Sequence, residues 1–316
     1  MTNKLTQILG SKYPIIQGGL ANIATGQFAA ACSNAGALGL IGSGSMDAAQ
    51  LREHIAEAKA ATATTGAPFG VNIMLMNPHA ADLAQVVIDE GIKVVTTGAG
   101  SPAPFMADWK EAGITVIPVV PSSMLAKKME SLGASAVIAE GGEAGGHVGD
   151  LTTMALVPQV CSAVEIPVIA AGGIATGQQM AAAFMLGACG VQVGTCTLVS
   201  DECPIHENYK QAVVAAKDSS TTVTGRIAGT PVRVIKNQMA RAYINKEREG
   251  ANKEELESFT LGSLRRAVVD GDVKTGSIMA GQVAGLCNEI LPIATIFDVM
   301  MNDAKTTLAK ASHIQL

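Results

Sequence analysis

The chain has 316 residues, of which 48% are hydrophobic and 16% charged, and its formal net charge is −5. This composition is typical of a globular chain with a large buried core and unlike that of a disordered one. The negative charge gives no general basic field for nucleic acid or an anionic membrane. No apolar run reaches about 18 residues, and the first residues lack the apolar core of a secretory signal, so we expect a cytoplasmic protein without a membrane span. The six cysteines form no Cys-x-x-Cys pair, so we expect reduced thiols and no metal site.

Eight short apolar runs alternate with longer amphipathic stretches. The runs are continuously apolar, as in strands that are covered on both faces. They cover residues 15–17, 39–41, 71–74, 93–96, 116–119, 136–139, 168–171 and 191–194. Eight βα units in succession predict an α/β fold of the (β/α)₈ TIM-barrel class. A Rossmann domain is disfavoured, because the glycines of residues 36–44 do not form a G-x-G-x-x-G turn.

The pattern changes after the eighth run, where charged residues, glycines and helical stretches mix. We therefore divide the chain into a barrel with strands 1–8 over residues 1–199 and a second part over residues 200–292. That second part contains the last barrel helix and a small, mostly helical excursion, or lid, over the barrel mouth. Residues 293–316 are expected to form a closing C-terminal helix.

The loops after strands 7 and 8 are rich in small residues. Ligands of such barrels bind at the carboxyl ends of the strands. Gly172 and Gly173 follow strand 7, and Gly194 and Thr195 follow strand 8. Backbone N–H groups at such positions can bind a phosphate group. The alternative is that these glycines only provide the positive φ angles of tight turns.

The loop after strand 6 is the most specific feature of the sequence. Five glycines surround Glu140, Glu143 and His147 there. Histidine titrates near neutral pH, so His147 is the candidate for proton transfer. The alternative is an incidental histidine in a surface loop. The two glutamates are either acids or, as we favour, holders of loop N–H groups.

Two amides interrupt apolar strands. Asn72 lies in strand 3 and Gln192 in strand 8. A buried amide needs hydrogen-bond partners. Each of them either ties neighbouring strands together or binds the edge of a ligand ring.

Seven segments together resemble the nitronate monooxygenase superfamily, and within it the branch of FMN-dependent enoyl-acyl carrier protein reductases of type II. The resemblance covers nearly the whole chain, and its most specific motif is Glu-Ala-Gly-Gly-His. The segments are 14–19, 70–75, 95–100, 117–121, 143–147, 170–174 and 192–195.

The resemblance implies FMN at the barrel mouth. Its phosphate would lie on Gly172, Gly173, Gly194 and Thr195, next to Gln192 and Val193. Its ring would lie near Gly19, Leu20, Ala21, Asn72, Glu140 and Gly145. A monovalent cation is often associated with this branch, but the sequence does not place one.

The resemblance also implies a reaction. NADH or NADPH would reduce the flavin, which would then reduce a trans-2-enoyl thioester carried by acyl carrier protein in bacterial fatty acid elongation. His147 would help to deliver the proton to the α-carbon. Two alternatives stay open, namely oxidation of alkyl nitronates with O₂ and a non-catalytic flavin-binding role. The oligomeric state is also open, a homodimer included.

This chain departs from its relatives at four positions near the expected flavin. Leu20 and Asn22 replace a Met and a Trp that relatives often carry, and Cys196 and Thr197 replace Arg-Phe. The carrier protein would be acidic, so a basic patch is expected beside the mouth. Its candidates are Arg226, Arg233, Lys236, Arg241, Arg265 and Arg266.

Overall fold

The computed structural model describes residues 3–311 and residue 313. The strands of the chain are β1 (Ile15–Gln17), β2 (Gly39–Gly42), β3 (Phe69–Met74), β4 (Val94–Gly98), β5 (Thr115–Val120), β6 (Val137–Glu140), β7 (Gly146–His147), β8 (Val168–Ala171), β9 (Gly190–Val193), β10 (Thr221–Thr224) and β11 (Val232–Ile235). Eight of them are parallel and form one sheet that curves into a barrel, in the order β1-β9-β8-β6-β5-β4-β3-β2. All eight predicted strands are present, and the predicted α/β TIM-barrel class is confirmed.

The barrel closes between β1 and β2. A parallel bridge joins Ile16 to Leu38. The N–H of Gln17 donates to the carbonyl of Leu38, and the N–H of Leu38 donates to the carbonyl of Ile15, both at 2.9 Å. The Gln17 side chain adds a third link, because its Oε1 accepts the N–H of Leu40 at 3.1 Å.

Helices lie around this barrel and in the excursion that follows its last strand. They are α1 (Lys4–Leu9), α2 (Gly26–Asn34), α3 (Ala48–Thr62), α4 (Ala80–Asp89), α5 (Met106–Glu111), α6 (Ser123–Ser131), α7 (Thr153–Cys161), α8 (Gly177–Met185), α9 (Thr195–Leu198), α10 (Glu207–Val214), α11 (Gln238–Arg248), α12 (Lys253–Thr260), α13 (Ser263–Val269) and α14 (Ile293–Ala311). In the described part of the chain, no helix is long and apolar enough to cross a membrane.

The barrel interior is a layer of aliphatic side chains. Ile16, Leu40, Ile117, Ile138 and Ile169 belong to one buried cluster. Leu5 and Leu9 of α1 join the same cluster, so the first helix covers the amino-terminal end of the barrel. The alternate strand residues point outward and pack against the helices, as the period of a strand requires.

The region between the last barrel strand and α14 contains a small sheet that the sequence did not predict. β10 and β11 pair antiparallel, and β11 also pairs with β7 from the loop after β6. The excursion is therefore attached to the barrel mouth by backbone hydrogen bonds. Its helical part is α11, α12 and α13. Of the predicted closing helix, α14 covers residues 293–311, and residues 312 and 314–316 lie outside the described residues.

We predict that Gly39→Ala lowers the free energy of unfolding by about 1–3 kcal/mol, the usual cost of overpacking. A Cβ atom at Gly39 would overlap the backbone carbonyl of Ala29 in α2, which cannot rotate away. Urea unfolding measures the change. Gly98→Ala is the matched control, because no atom lies within 4 Å of its added Cβ. Equal stabilities of the two variants would contradict the predicted overlap.

Candidate active site

Four polar side chains form a layer above the apolar interior of the barrel, at the carboxyl ends of the strands. They are Asn72, Thr96, Glu140 and Gln192. Residues that flank them in the strands pack against the helices, so these four side chains face the barrel axis. The flanking residues are Val71, Ile73, Val95, Ala139, Val191 and Val193. Water and ligands reach this level through the mouth, because Asn72, Glu140 and Gln192 are all partly exposed. The two amides that the sequence singled out thus face one polar opening.

Asn72 ties two strands together. Its Nδ2 donates to Oγ1 of Thr96 on β4 at 2.9 Å. Its Oδ1 accepts no hydrogen bond from the residues that the structure describes, and so it is available to a ligand. A Cβ atom at Gly19 would overlap the Asn72 side chain, so the glycine lets the β1 loop lie directly on the amide. The strand-tie interpretation holds, and the ligand interpretation stays a prediction.

Glu140 is the inward-facing carboxyl group of this layer. Among the described residues it has no hydrogen-bond donor and no cationic partner, so the interpretation of Glu140 as a holder of loop N–H groups is wrong. The surrounding protein removes solvent from the carboxylate and raises its pKa to about 7. Glu140 therefore changes its charge in the neutral pH range, unlike an ordinary glutamate.

His147 lies in β7, on the loop that follows β6. Val232 of β11 is its pairing partner, and the N–H of Val148 donates to the carbonyl of Pro231 at 3.2 Å. The side chain is exposed to the mouth, while the protein around it lowers the pKa of the imidazole below its ordinary value. The imidazole is therefore mostly neutral at pH 7. The predicted loop histidine is held in place by a strand from the excursion.

Arg233 of β11 holds the same loop from behind. Its Nε and Nη2 both donate to the carbonyl of Gly142, at 3.2 and 2.9 Å. Nη1 donates to Oγ1 of Thr221 at 3.2 Å. The guanidinium is buried, and burial lowers its pKa. Its proposed place in a basic surface patch is therefore wrong. The sequence offered no signal for this contact, because 91 residues separate the partners.

Glu143 fixes the loop to the next helix. Its carboxylate accepts the backbone N–H of Thr153, the first residue of α7, at 2.9 and 3.0 Å. The Thr153 hydroxyl also donates to Glu143 at 3.0 Å. This confirms the interpretation of Glu143 as a holder of backbone N–H groups. A carboxylate is also favourable at the positive end of a helix dipole.

The two glycine-containing loops meet the histidine loop. Gly172 and Gly173 have φ angles of +87° and +70°, so tight turns do require them. A Cβ atom at Gly172 would lie 2.6 Å from the carbonyl of Gly141. On the neighbouring strand, Oγ1 of Thr195 accepts the N–H of Gly281 at 2.9 Å. The predicted phosphate residues are thus adjacent to each other and to the loop of His147.

The remaining predicted cofactor residues differ in which of their atoms can face a ligand. A Cβ atom at Gly145 would lie 2.7 Å from the backbone of Ala280, so this glycine lets the excursion pack against the loop. The Leu20 side chain lies against the β9 loop, because its Cδ2 would be 3.3 Å from a Cβ atom added to Gly194. The Cβ of Ala21 would be 3.5 Å from a Cβ atom added to Gly44. The Val193 side chain is buried among the helices, so only its backbone can face a ligand.

Three of the four departures from the relatives, Asn22, Cys196 and Thr197, have definite local surroundings. Asn22 has a φ angle of +58°, a conformation that asparagine tolerates well, and its Oδ1 accepts the hydroxyl of Ser45 at 2.8 Å. The Thr197 hydroxyl donates to the carbonyl of Gly194 at 2.7 Å. The thiol of Cys196 lines a cavity of about 270 Å³ beside α14. Cys196 and Thr197 are buried rather than displayed in the mouth.

The fold and the mouth together define a class of protein. The arrangement is that of an enzyme site in a barrel. It consists of polar groups above the apolar interior, glycine loops at neighbouring strand ends and one exposed imidazole. The sequence profile of the nitronate monooxygenase family matches residues 2–90 and 84–303. The chain belongs to this family, and it is an oxidoreductase of the flavin-dependent type.

Curated relatives carry several names. A protein of Mycobacterium tuberculosis that is named as a dehydrogenase of a hydroxy-methyl-oxo-octahydroindene-carboxyl-CoA is 31% identical, and the match covers 98% of each chain. A probable nitronate monooxygenase of Staphylococcus saprophyticus is 30% identical over 95% of this chain and 97% of the relative. Family membership therefore leaves the substrate open.

Solved structures include a nearer match. FabK of Thermotoga maritima, an FMN-dependent enoyl-acyl carrier protein reductase II, is 47% identical, with a TM-score of 0.96 and coverage of 99% of both chains. Nitroalkane oxidase of Streptomyces ansochromogenes is 27% identical, with a TM-score of 0.86 over 97% of this chain and 99% of that one. The resemblance to the reductase branch is confirmed.

We predict that Arg233→Met destabilises the protein by about 2–3 kcal/mol, because two charge-assisted hydrogen bonds to Gly142 are lost. Hydrogen–deuterium exchange of the amides of residues 141–147 should become faster. Arg226→Met is the control, because that exposed arginine makes only a 3.4 Å ion pair and should change stability by less than about 0.5 kcal/mol. Unchanged exchange in the Arg233 variant would refute the role of this contact.

We predict that Glu140→Gln stabilises the flavin-free protein at pH 8 and not at pH 4.5. The folded state keeps a proton on Glu140 up to about pH 7, whereas an unfolded glutamate loses it near pH 4.5. Stability from this group is therefore present below pH 4.5 and is lost as the pH rises through 7. The loss is at most about 3 kcal/mol.

Urea unfolding of the parent and the variant at both pH values measures this difference. Glu111→Gln, at an exposed helix end, is the control and should leave the pH dependence unchanged. If the Glu140 variant is no more stable than the parent at pH 8, the carboxyl group is not desolvated as the structure indicates.

Proposed function

We propose that this protein reduces trans-2-enoyl thioesters of acyl carrier protein with NADH or NADPH, using FMN. The match to FabK carries the proposal, because it extends over 99% of both chains at 47% identity. The M. tuberculosis relative supports a thioester substrate, since its name specifies a CoA thioester. All six cysteines are free, as is typical of the reducing cytoplasm, where we place the reaction.

The residues at the mouth fit FMN. Gly172, Gly173, Gly194 and Thr195 would hold the phosphate, because they bring backbone N–H groups of neighbouring strand ends together and the three glycines place no side chain in the way. Gln192 and the backbone of Val193 lie directly before them on β9. No lysine or arginine is required for such a site.

The planar ring would lie on the polar layer. Gly19, Leu20 and Ala21 come from the β1 loop, while Gly145 comes from the histidine loop. The available Oδ1 of Asn72 can accept a hydrogen bond from a ring N–H, and Glu140 can donate or accept according to its charge. Bound there, FMN supplies hydride transfer between the nicotinamide and the enoyl thioester.

His147 would provide the proton for the α-carbon. It faces the mouth, and three contacts fix its loop, namely the β11 pairing, Arg233 to Gly142 and Glu143 to Thr153. A general acid must be protonated before it reacts. Because burial lowers the pKa of His147, the protonated fraction is small at pH 7 and grows as the pH falls.

Oxidation of nitronates is the second candidate. The family profile and the staphylococcal relative carry that name, and the Streptomyces nitroalkane oxidase shares the fold at 27% identity. The same flavin site and His147 would serve it. The lower identity of these relatives places this function second. Oxygen uptake with an alkyl nitronate and no nicotinamide would identify it.

The test follows the colour of the purified protein without oxygen. A yellow protein should bleach with NADH or NADPH and recover its colour when a trans-2-enoyl thioester is added. We predict that His147→Ala slows the recovery about 100-fold and leaves the bleaching unchanged, since it removes only the proton donor. Recovery in the parent should slow as the pH rises.

His313→Ala, at an exposed position near the C-terminus, is the control and should behave like the parent. A yellow protein that enoyl thioesters do not reoxidise would refute the reductase function and leave nitronate as the next substrate. A protein that cannot take up FMN would refute both functions.

A further inference from the structure

Large exposed apolar side chains collect on one side of the barrel mouth. Met124, Met154 and Ile227 are 77%, 76% and 72% exposed, and Leu125 and Leu151 are each 38% exposed. All five lie in loops or first helical turns at the carboxyl ends of the strands or in the β10–β11 turn. Single exposed apolar side chains are ordinary, whereas a group of them indicates a binding surface.

Direct contacts join the segments that carry these side chains. A Cβ atom at Gly149 would lie 3.0 Å from Cβ of Pro121, so the β6 loop packs on the β5 loop. Nη1 of Arg226 lies 3.4 Å from Oδ1 of Asp150, which links the β10–β11 turn to the segment before α7. Helices α6 and α7 also pack against each other. The five side chains therefore form one surface, which we name the rim patch.

Basic residues border the rim patch. Lys127 and Lys128 follow Met124 by one helical turn and so share its side of α6. Both are exposed, and neither ammonium group pairs with a carboxylate in the described part of the chain. Arg226 adds a third positive charge, beside the carboxylate of Asp150. This local charge is opposite in sign to the net charge of −5.

We propose that the rim patch docks the acidic carrier protein that delivers the thioester. This proposal rests on the proposed function. An acidic helix would meet Lys127, Lys128 and Arg226, while its apolar side chains would cover the methionines. The patch begins four residues after His147 on the same loop, so a carrier bound there has its acyl arm beside the mouth.

The basic residues predicted from sequence are mostly unsuited to this role. Arg233 is buried under the histidine loop. The ammonium of Lys236 donates to the carbonyl of Ser219, and the guanidinium of Arg266 donates to Leu261 and Thr275. Arg226 borders the rim patch through its contact with Asp150. The docking surface therefore involves α6, which the sequence did not indicate.

The test compares two thioesters of the same acyl group. One is crotonyl-acyl carrier protein, and the other is the small, uncharged crotonyl-N-acetylcysteamine. In Lys127→Glu/Lys128→Glu, KM for the carrier substrate should rise about tenfold, while kcat/KM for the small thioester stays within about twofold. Met124→Ser/Met154→Ser should give the same pattern, and both side chains lie outside the buried core.

Lys93→Glu/Lys110→Glu is the matched control. It makes the same charge change on exposed lysines just before β4 and β5, at the opposite end of the barrel. An equal rise in KM for this control would overturn the proposal, because it would show a long-range charge effect. Unchanged carrier kinetics in both patch variants would overturn it too.

Two further outcomes separate the alternatives. In one outcome, the parent sediments as a dimer and the patch variants sediment as monomers, while KM for the carrier substrate is unchanged. The rim patch then binds a second copy of the chain, and the docking proposal is overturned. If the parent reduces neither thioester, the proposed function itself is wrong and the docking proposal falls with it. If the parent reduces the small thioester but not crotonyl-acyl carrier protein, the carrier protein is not its substrate. The docking proposal is then overturned, while the reduction of thioesters stands.

Discussion

The contact between the Arg233 guanidinium and the Gly142 carbonyl is the interaction on which the candidate site depends. Backbone in a glycine-rich loop has a high conformational entropy, which must be offset before the loop can present one imidazole in a fixed position. Two hydrogen bonds from a buried cation, reinforced by Glu143 and the β7–β11 pairing, provide that offset. The excursion is therefore part of the candidate site, because without β11 the loop would lose both the arginine and its strand partner.

The position of this loop explains the glycines around it. Gly145 lies against Ala280, Gly172 against the carbonyl of Gly141, and Gly281 near the hydroxyl of Thr195. Three segments thus approach one another at backbone distance at the carboxyl ends of the strands. A larger residue at any of these glycines would push the segments apart, because the neighbouring atoms are mostly backbone.

Much of the site could be predicted from single residues and their spacing, and the failures have physical reasons. His147, Asn72 and Glu140 were recognisable because each is a polar residue where an apolar or featureless one is expected. Val193 was grouped with the site because it lies at a strand end, yet the two-residue period of the strand turns its side chain outward. Arg233 was assigned wrongly to the surface, and Lys127 was overlooked. The burial and the neighbours of a charged side chain depend on segments far away in the chain.

The sequence by itself determined the barrel, because eight apolar runs at the spacing of βα units can bury both faces of their strands in few other ways. It also indicated which loops form the candidate site, since glycines and titratable groups follow the strands whose carboxyl ends meet. Only the tertiary structure decided what holds those loops and which surface surrounds them. The pairing of β7 with β11, the burial of Arg233 and the assembly of the rim patch all join residues that lie tens of residues apart. Such contacts have no local pattern, because they are selected by the packing of the whole chain rather than by the periodicity of any segment.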